Sequence, residues 1–386
     1  MKTTNSSSRR LVTASTAALC ACIFFPAHVH AAALAYTVTD LGTLGGSGST
    51  GFGINASGQV AGSTGLTGDS ADHAARWTGT TPTVLFPAGG TNSTGIAINA
   101  SGQVAGTSDI AGNGATHAVR WTGTTPQDLG TVGGTNSYAY GINASGQVAG
   151  WSESAPFGIP HAVRWTGTVA TDLGLLGPDF SKAFAINDAG QVAGDMHFTF
   201  NGPTHAARWT GNTVMELGTL GGSNSFGRAI NASGQVAGFS NLPGNSIVHA
   251  SLWTGAATTP TDLGSLPGFD LSEAVAINAP GDVLGLCYNG DPSGSIPFLY
   301  VGGTMYDLRS LLVPGSGATA VNVVGFGFGG NALNDLGQIA AYGTIGGQVH
   351  ALRLDPVAAP EPASAVLLLG SATAFLARRR RSAAGV

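Results

Sequence analysis

The sequence predicts an all-β fold: a seven-bladed β-propeller of 44-residue, four-stranded repeats, closed by its N-terminal strand. Three observations predict it. The segment Ile-Asn-x-x-Gly-Gln-Val-Ala-Gly recurs with its asparagine at Asn55, Asn99, Asn143, Asn187 and Asn231, in steps of 44 residues, with weaker copies at Asn278 and Asn334. His-Ala-x-Arg-Trp starts at His73, His117, His161 and His205 with the same step, continues from His249, decays at Ile296 and returns from His350. Asp-Leu-Gly marks Asp40, Asp128, Asp172 and Asp262, with Glu216 and Asp307 as variants and Val84 as a lapse. A repeat of roughly 40–45 residues is the length of one propeller blade.

Each unit divides into four short β-prone runs. In the third unit, strands are predicted over 138–143, 147–152, 161–165 and 171–173. The first pair is joined by the turn Ala144-Ser145-Gly146 and the second by Thr-Gly-Thr, both suited to tight hairpins. A helical repeat would need an apolar period of about 3.6 residues, which is absent. The phase of the count matters. The chain opens with a lone fourth-type strand at 37–41 and closes with three strands, near Leu333 and over 338–342 and 350–354. The strand at the front is therefore expected to complete the last blade, removing exposed sheet edges.

Composition fits this layout. Charged residues are only 9% of the 386, and glycine numbers 61, about twice its usual share. Residues 36–357 hold eight basic and nineteen acidic side chains, a net −11 that argues against nucleic acid as a partner.

The two ends read as addresses. Lys2, Arg9 and Arg10 precede an uncharged apolar run over 11–27 and then small residues, so 1–35 is expected to be a secretory signal cut between Ala32 and Tyr36. Cys20 and Cys22 would leave with it, and Cys287 reads as a small buried hydrophobe on a strand. At the other end, Pro360-Glu361-Pro362 precedes an uncharged run over 363–377 and then Arg378, Arg379, Arg380 and Arg381. Fifteen helical residues rise about 22 Å, short of the roughly 30 Å hydrocarbon core. This order resembles the PEP-CTERM sorting signal of Gram-negative bacteria. The resemblance implies signal peptidase and exosortase as partners, a transient membrane anchor, and delivery to the cell surface or extracellular matrix. A plain C-terminal anchor reads the same residues and also places the protein outside the cytoplasm.

Over residues 36 to about 355, the alternating His-Ala-x-x-Trp and Ile-Asn-x-x-Gly-Gln-Val-Ala-Gly segments resemble the HAF repeat of extracellular bacterial proteins. Ala75, Val119, Val163, Ala207 and Ser251 stand where the name has Phe. The resemblance implies an exported repeat protein and carries no catalytic residue.

Residues present in every unit are scaffold candidates, since one active site cannot use seven copies. Trp77, Trp121, Trp165, Trp209 and Trp253 are expected between neighbouring blades, each indole N–H needing a partner. The histidines are expected to make a polar link within each unit rather than to bind metal, because equivalent positions on adjacent sheets stand about 10 Å apart. Arg76, Arg120, Arg164, Arg208 and Arg353 do not come and go with the Asp-Leu-Gly acid, which argues against a strict Arg–Asp bridge and leaves backbone carbonyls open as partners. Asn-Ala-Ser at Asn55, Asn99, Asn143 and Asn231 matches a glycosylation pattern but is read as turn chemistry.

Loops between second and third strands, over 64–72, 109–116, 153–160, 195–204 and 241–248, vary while the hairpin turns do not. Divergent loops on a regular scaffold are where binding chemistry concentrates. They carry or adjoin Trp151, Glu153, Phe157, Asp195, His197, Phe198 and Phe200, aromatic and acidic side chains suited to sugar rings. The expected function is that of an exported, non-enzymatic surface or matrix protein, with exopolysaccharide as its candidate ligand and no cofactor. The alternative is a secreted propeller glycosidase or polysaccharide lyase using Glu153, Asp195 or Glu273. Asp69/Asp72 and Asn289/Asp291 lack a regular calcium-ligand spacing.

Overall fold

The computed structural model describes residues 34–357, apart from 69–70, 156–157, 175–179, 198–201, 256–258, 316 and 326–330. The secretory and sorting segments, and Phe157, Phe198 and Phe200, lie outside the described residues. Among those described, no helix is long and apolar enough to cross a membrane; the predicted span at 363–377 is not among them.

Five successive units each form a separate four-stranded antiparallel sheet. In the third unit the strands are Gly133–Ile142, Val148–Ser154, Ile159–Thr166 and Val169–Asp172. The first strand begins five residues earlier than predicted. Gly133, with φ of 114°, lets the chain turn out of the crossing and pair with Ser154 at once. The second strand also runs further than predicted, to Ser154, because it pairs continuously with Ile159–Thr166. In the first six units the first strand carries a bulge just before its Ile-Asn, as between Ala139 and Gly141. The Val-Ala-Gly glycine opposite it is required: a Cβ on Gly150 would stand 1.9 Å from the Tyr138 carbonyl oxygen.

The remaining strands differ from the expected separate blades. The N-terminal strand Tyr36–Asp40 does pair antiparallel with Gln348–Pro356, from Tyr36 opposite Pro356 to Asp40 opposite Leu352. However, Gly48 of Gly45–Ile54 meets Val349 in a single parallel bridge, which merges first and last units into one mixed, eight-stranded sheet. The innermost strand of the last unit is also displaced. Thr319–Asn322 takes that place, and Leu333 contributes only an isolated bridge to Ile339. Extra chain inserted between them separates what is one continuous strand elsewhere.

The repeated polar residues stitch each unit to the next. Every repeat asparagine donates to the carbonyl of its successor: Asn55 to Asn99, Asn99 to Asn143, Asn143 to Asn187, Asn187 to Asn231, Asn231 to Asn278, Asn278 to Asn334, and Asn334 back to Asn55, at 2.9–3.4 Å. The first-strand serine accepts from the backbone of the preceding unit's His-Ala strand, as Ala118 N–H to Ser137 at 2.9 Å. Each repeat arginine reaches a glycine carbonyl in the next unit's turn, Arg76 to Gly102, Arg120 to Gly146, Arg164 to Gly190 and Arg208 to Gly234. The indoles of Trp121, Trp209 and Trp253 donate to backbone carbonyls of the unit before. Contacts of the same kinds join last unit to first: Arg353 to Gly58, and Ala351 N–H to Ser49.

Within units, the expected histidine link is present. His117 meets Asp128, His161 meets Asp172 at 2.7 Å, His205 meets Glu216, His249 meets Asp262, and His350 meets Asp40 of the N-terminal strand. Between the sheets lie the fully buried Trp77, Trp121, Trp165, Trp209 and Trp253, packed against the small residues of Val-Ala-Gly strands. Cys287 is buried on Val283–Asn289, its thiol accepting from the Leu266 N–H.

Candidate functional site

The first strands carry the ring asparagines at one end, and the two ends of these strands differ in character. At the asparagine end lies a cavity of about 230 Å³ lined by Asn55, Asn99, Asn187, Asn231 and Asn334. Asp188 and Asp335 border it, but each accepts a backbone N–H, from Ala144 and Ala279. The axis then narrows to a space of about 50 Å³ lined by Ala97, Gly141, Ile142, Ala185 and Asn331. Asn331 donates to the Ile98 carbonyl at 2.6 Å, bridging from the last unit to the second.

At the other end the repeat breaks. Five residues before the ring asparagine, about 16 Å along an extended strand, the first two units carry Thr50 and Thr94, paired across the hairpin with Ser63 and Thr107. The next three units carry Tyr138 opposite Trp151, Lys182 opposite Asp195, and Phe226 opposite Phe239. At the bulge position, Tyr140, Phe184 and Arg228 take their place beside these pairs.

These side chains form one continuous row across three units. Tyr138 stacks on Trp151 with centroids 4.2 Å apart, and the Trp151 indole donates to the Tyr140 hydroxyl. The Lys182 ammonium of the next unit lies 4.5 Å from the Trp151 ring centre and 5.2 Å from that of Phe180. Tyr140 packs on Phe184, and the Arg228 guanidinium lies 4.2 Å above Phe184, with Phe239 and Phe226 at 5.0 and 5.4 Å. Cations held against aromatic faces in this way gain from the ring quadrupole.

The acids are each engaged. Asp195 is only 2% exposed and bonds Arg228 at 2.6 Å. Burial pushes its carboxyl above the ordinary range, opposed first by the Arg228 charge and hydrogen bond and then by the charges of Lys182 and His197. Glu273, in the sixth unit, is buried and accepts the Tyr288 hydroxyl at 2.6 Å; burial raises its pKa and, more strongly, that of the tyrosine. Glu153 takes a different course. It accepts from the Asn136 side chain and from the N–H groups of Asn136 and Thr135, and these bonds, the side-chain one foremost, hold its carboxyl below its usual value. His197 bonds Thr204 and packs on Phe180. Among the described residues, no group of three or more His, Cys, Asp or Glu is placed to hold a metal ion.

Of the predicted ligand-binding residues, the structure brings Trp151 and Asp195 into one row, puts His197 at its margin and leaves Glu153 bracing a crossing. Trp151, Glu153 and Asp195 are strand residues and not loop residues, since Val148–Ser154 and Val192–His197 stay paired past them. Sequence reasoning missed Lys182, Arg228, Tyr138 and the phenylalanines around them. The signal was available: these are variable positions inside the most regular strand of the repeat.

No protein-family profile matches the sequence, and no curated protein does. Among solved structures, the β-propeller domain of the Trilobed protease from Pyrococcus furiosus superposes with a TM-score of 0.53 at 8% identity, covering 81% of this chain and 99% of that one. The fold is a β-propeller. The likeness to TolB from Acinetobacter baumannii has a TM-score of 0.41 at 13% identity over 85% of this chain and 64% of that one. A gluconolactonase from Xanthomonas campestris gives 0.34 at 13% identity, over 84% of this propeller chain and 95% of its own.

Proposed function

We propose that the protein is an exported, seven-bladed propeller that binds an extracellular polysaccharide through the row centred on Trp151, Lys182 and Arg228. The observation that carries this reading is the break in the repeat. At the strand position where the first two units pair Thr50 with Ser63 and Thr94 with Thr107, and the sixth pairs Glu273 with Leu286, units three to five place aromatic rings and cations side by side. Aromatic faces beside hydrogen-bonding groups suit the apolar face and hydroxyl rim of a pyranose.

The seven-blade count takes the mixed sheet as two blades touching at one bridge, with the N-terminal strand as the outer strand of the last. The ring of asparagine bonds and the His350–Asp40 pair support it. Export and delivery to the surface or matrix rest on the secretory and PEP-CTERM-like ends and on the resemblance to HAF repeats. Signal peptidase and exosortase are the partners that follow, and no catalytic step is assigned.

Binding of the full chain to arrayed glycans and matrix exopolysaccharides tests the site. Trp151→Ala is expected to weaken binding about tenfold or more, since a buried aromatic contact contributes over 1 kcal/mol. No binding to any glycan overturns the reading. Cleavage of a polysaccharide that is abolished by Glu153→Gln replaces it with the glycosidase or lyase alternative.

A further inference from the structure

We propose that the ligand is an acidic sugar, a uronate unit whose carboxylate takes the Lys182 ammonium while its ring lies against the neighbouring aromatic side chains. This rests on the glycan-binding reading above and names its ligand class.

The argument begins with an ion pair that does not form. Lys182 and Asp195 stand directly opposite each other on paired strands, the register at which opposite charges normally join. Asp195 is instead taken by Arg228 of the next unit, and Lys182 turns to the rings of Trp151 and Phe180. Among the described residues its ammonium has no hydrogen bond or ion pair.

That is exceptional in this chain. Of its other basic residues between 36 and 357, the five repeat arginines bond glycine carbonyls of adjacent turns. Arg309 bonds the carbonyls of Val321 and Ser295, and Arg228 has Asp195. Among the described residues Lys182 alone, half-buried, is left without an oxygen. Burial pushes its pKa down, opposed in part by the charge of Asp195, which is bonded to Arg228, and the aromatic faces supply no hydrogen-bond acceptor for the ammonium.

Two cations share the single carboxylate of Asp195. The other acid near Arg228, Glu273, is shielded by burial and committed to Tyr288. A ligand that supplies one negative charge beside a flat, partly apolar ring satisfies both the ammonium and the aromatic faces. A uronate does so, with a charge-assisted bond about twice as strong as a neutral one. Phosphate or another free anion offers the charge and not the ring. The net charge of −11 over residues 36–357 repels polyanions at long range, so the preference must arise from this contact.

The test uses the full chain and oligogalacturonate, its methyl ester, and a neutral oligosaccharide of equal length, by calorimetry at about 0.15 M salt, where screening acts over about 8 Å. The acid is expected to bind about tenfold or more tighter than its ester. Lys182→Met should abolish that difference, and Lys182→Arg, which keeps the charge, should retain it. If acid and ester bind equally, the inference fails and glycan binding stands. An acid preference that survives Lys182→Met removes Lys182 from the site and also overturns it. If none of the three binds and inorganic phosphate does, the site takes a simple anion, and both readings fall; if nothing binds, the acidic-sugar inference fails and the glycan array decides the broader reading.

Discussion

Replacing Asn334 by alanine probes whether the ring of units closes on itself. Asn334 is 6% exposed; its amide donates to the Asn55 carbonyl at 2.9 Å and to Gln338, and its oxygen accepts from Leu336 and Gln338 N–H groups at 3.0 and 2.9 Å. Truncation leaves the Asn55 carbonyl and at least one turn N–H without partners. An unsatisfied buried group costs about 1–3 kcal/mol, so the expected loss is about 2–4 kcal/mol. Asn143 makes an equivalent set, to Asn187, Gln147 and Ser145, in the middle of the chain. In a closed ring the two positions are equivalent, and Asn334→Ala should cost as much as Asn143→Ala. Urea titration at unchanged m-value reads both; with m of about 3 kcal/mol/M, each midpoint falls by about 1 M. If Asn143→Ala loses several kcal/mol and Asn334→Ala under about 0.5, the last-to-first bond is not formed in solution and the ring reasoning is wrong.

Four other outcomes follow from the structure. The His161 pKa is raised by its hydrogen bond to Asp172, against burial, whereas the Asp172 carboxyl is held low by His161 and the Gly174 N–H, which outweigh a larger single effect of burial. The histidine's contribution is full below about pH 6.5 and lost as pH rises through its raised value; the aspartate's is present above about pH 4 and lost as pH falls through its lowered one. The stability deficit of Asp172→Asn should therefore be larger at pH 5.5 than at pH 8.5, and a deficit that grows with pH contradicts the pairing. Gly150→Ala should cost roughly 3 kcal/mol or more, because its Cβ meets backbone and not a movable side chain; an unshifted thermal transition would speak against the bulge geometry. Asp195→Asn, which strands Arg228, should cost about 3–5 kcal/mol while the double change Asp195→Leu/Arg228→Met is nearly neutral; equal denaturation midpoints for the two would mean the pair is solvated. Deleting residues 360–386 should move the protein from membrane and surface fractions into the medium, and an unchanged distribution on fractionation sinks the sorting-signal reading.

The period of 44 made the strand order, the hairpin turns and a polar link for each histidine within its unit legible from the chain alone, and the structure identified the acid as the partner. Those are local matters: His161 and Asp172 lie on adjacent strands of one unit, and the Asn143 turn is bonded within itself. The sequence by itself also determined that repeated polar residues are scaffold, because a group present in every unit has an equivalent partner in every unit. What only the tertiary structure decided is which unit supplies that partner. Asn, Arg, Ser and Trp all reach across to a neighbour, since the faces of a thin four-stranded sheet have nowhere else to bury polar groups. The binding row was hidden for the same reason. Asp195 and Arg228 are 33 positions apart and Trp151 and Lys182 lie in different units, at offsets that no repeat alignment places side by side. Lys182 has an acid directly across the hairpin, and sequence and strand pairing alone would join the two. Only the packing of one sheet on the next turns that acid away and leaves the ammonium facing aromatic rings.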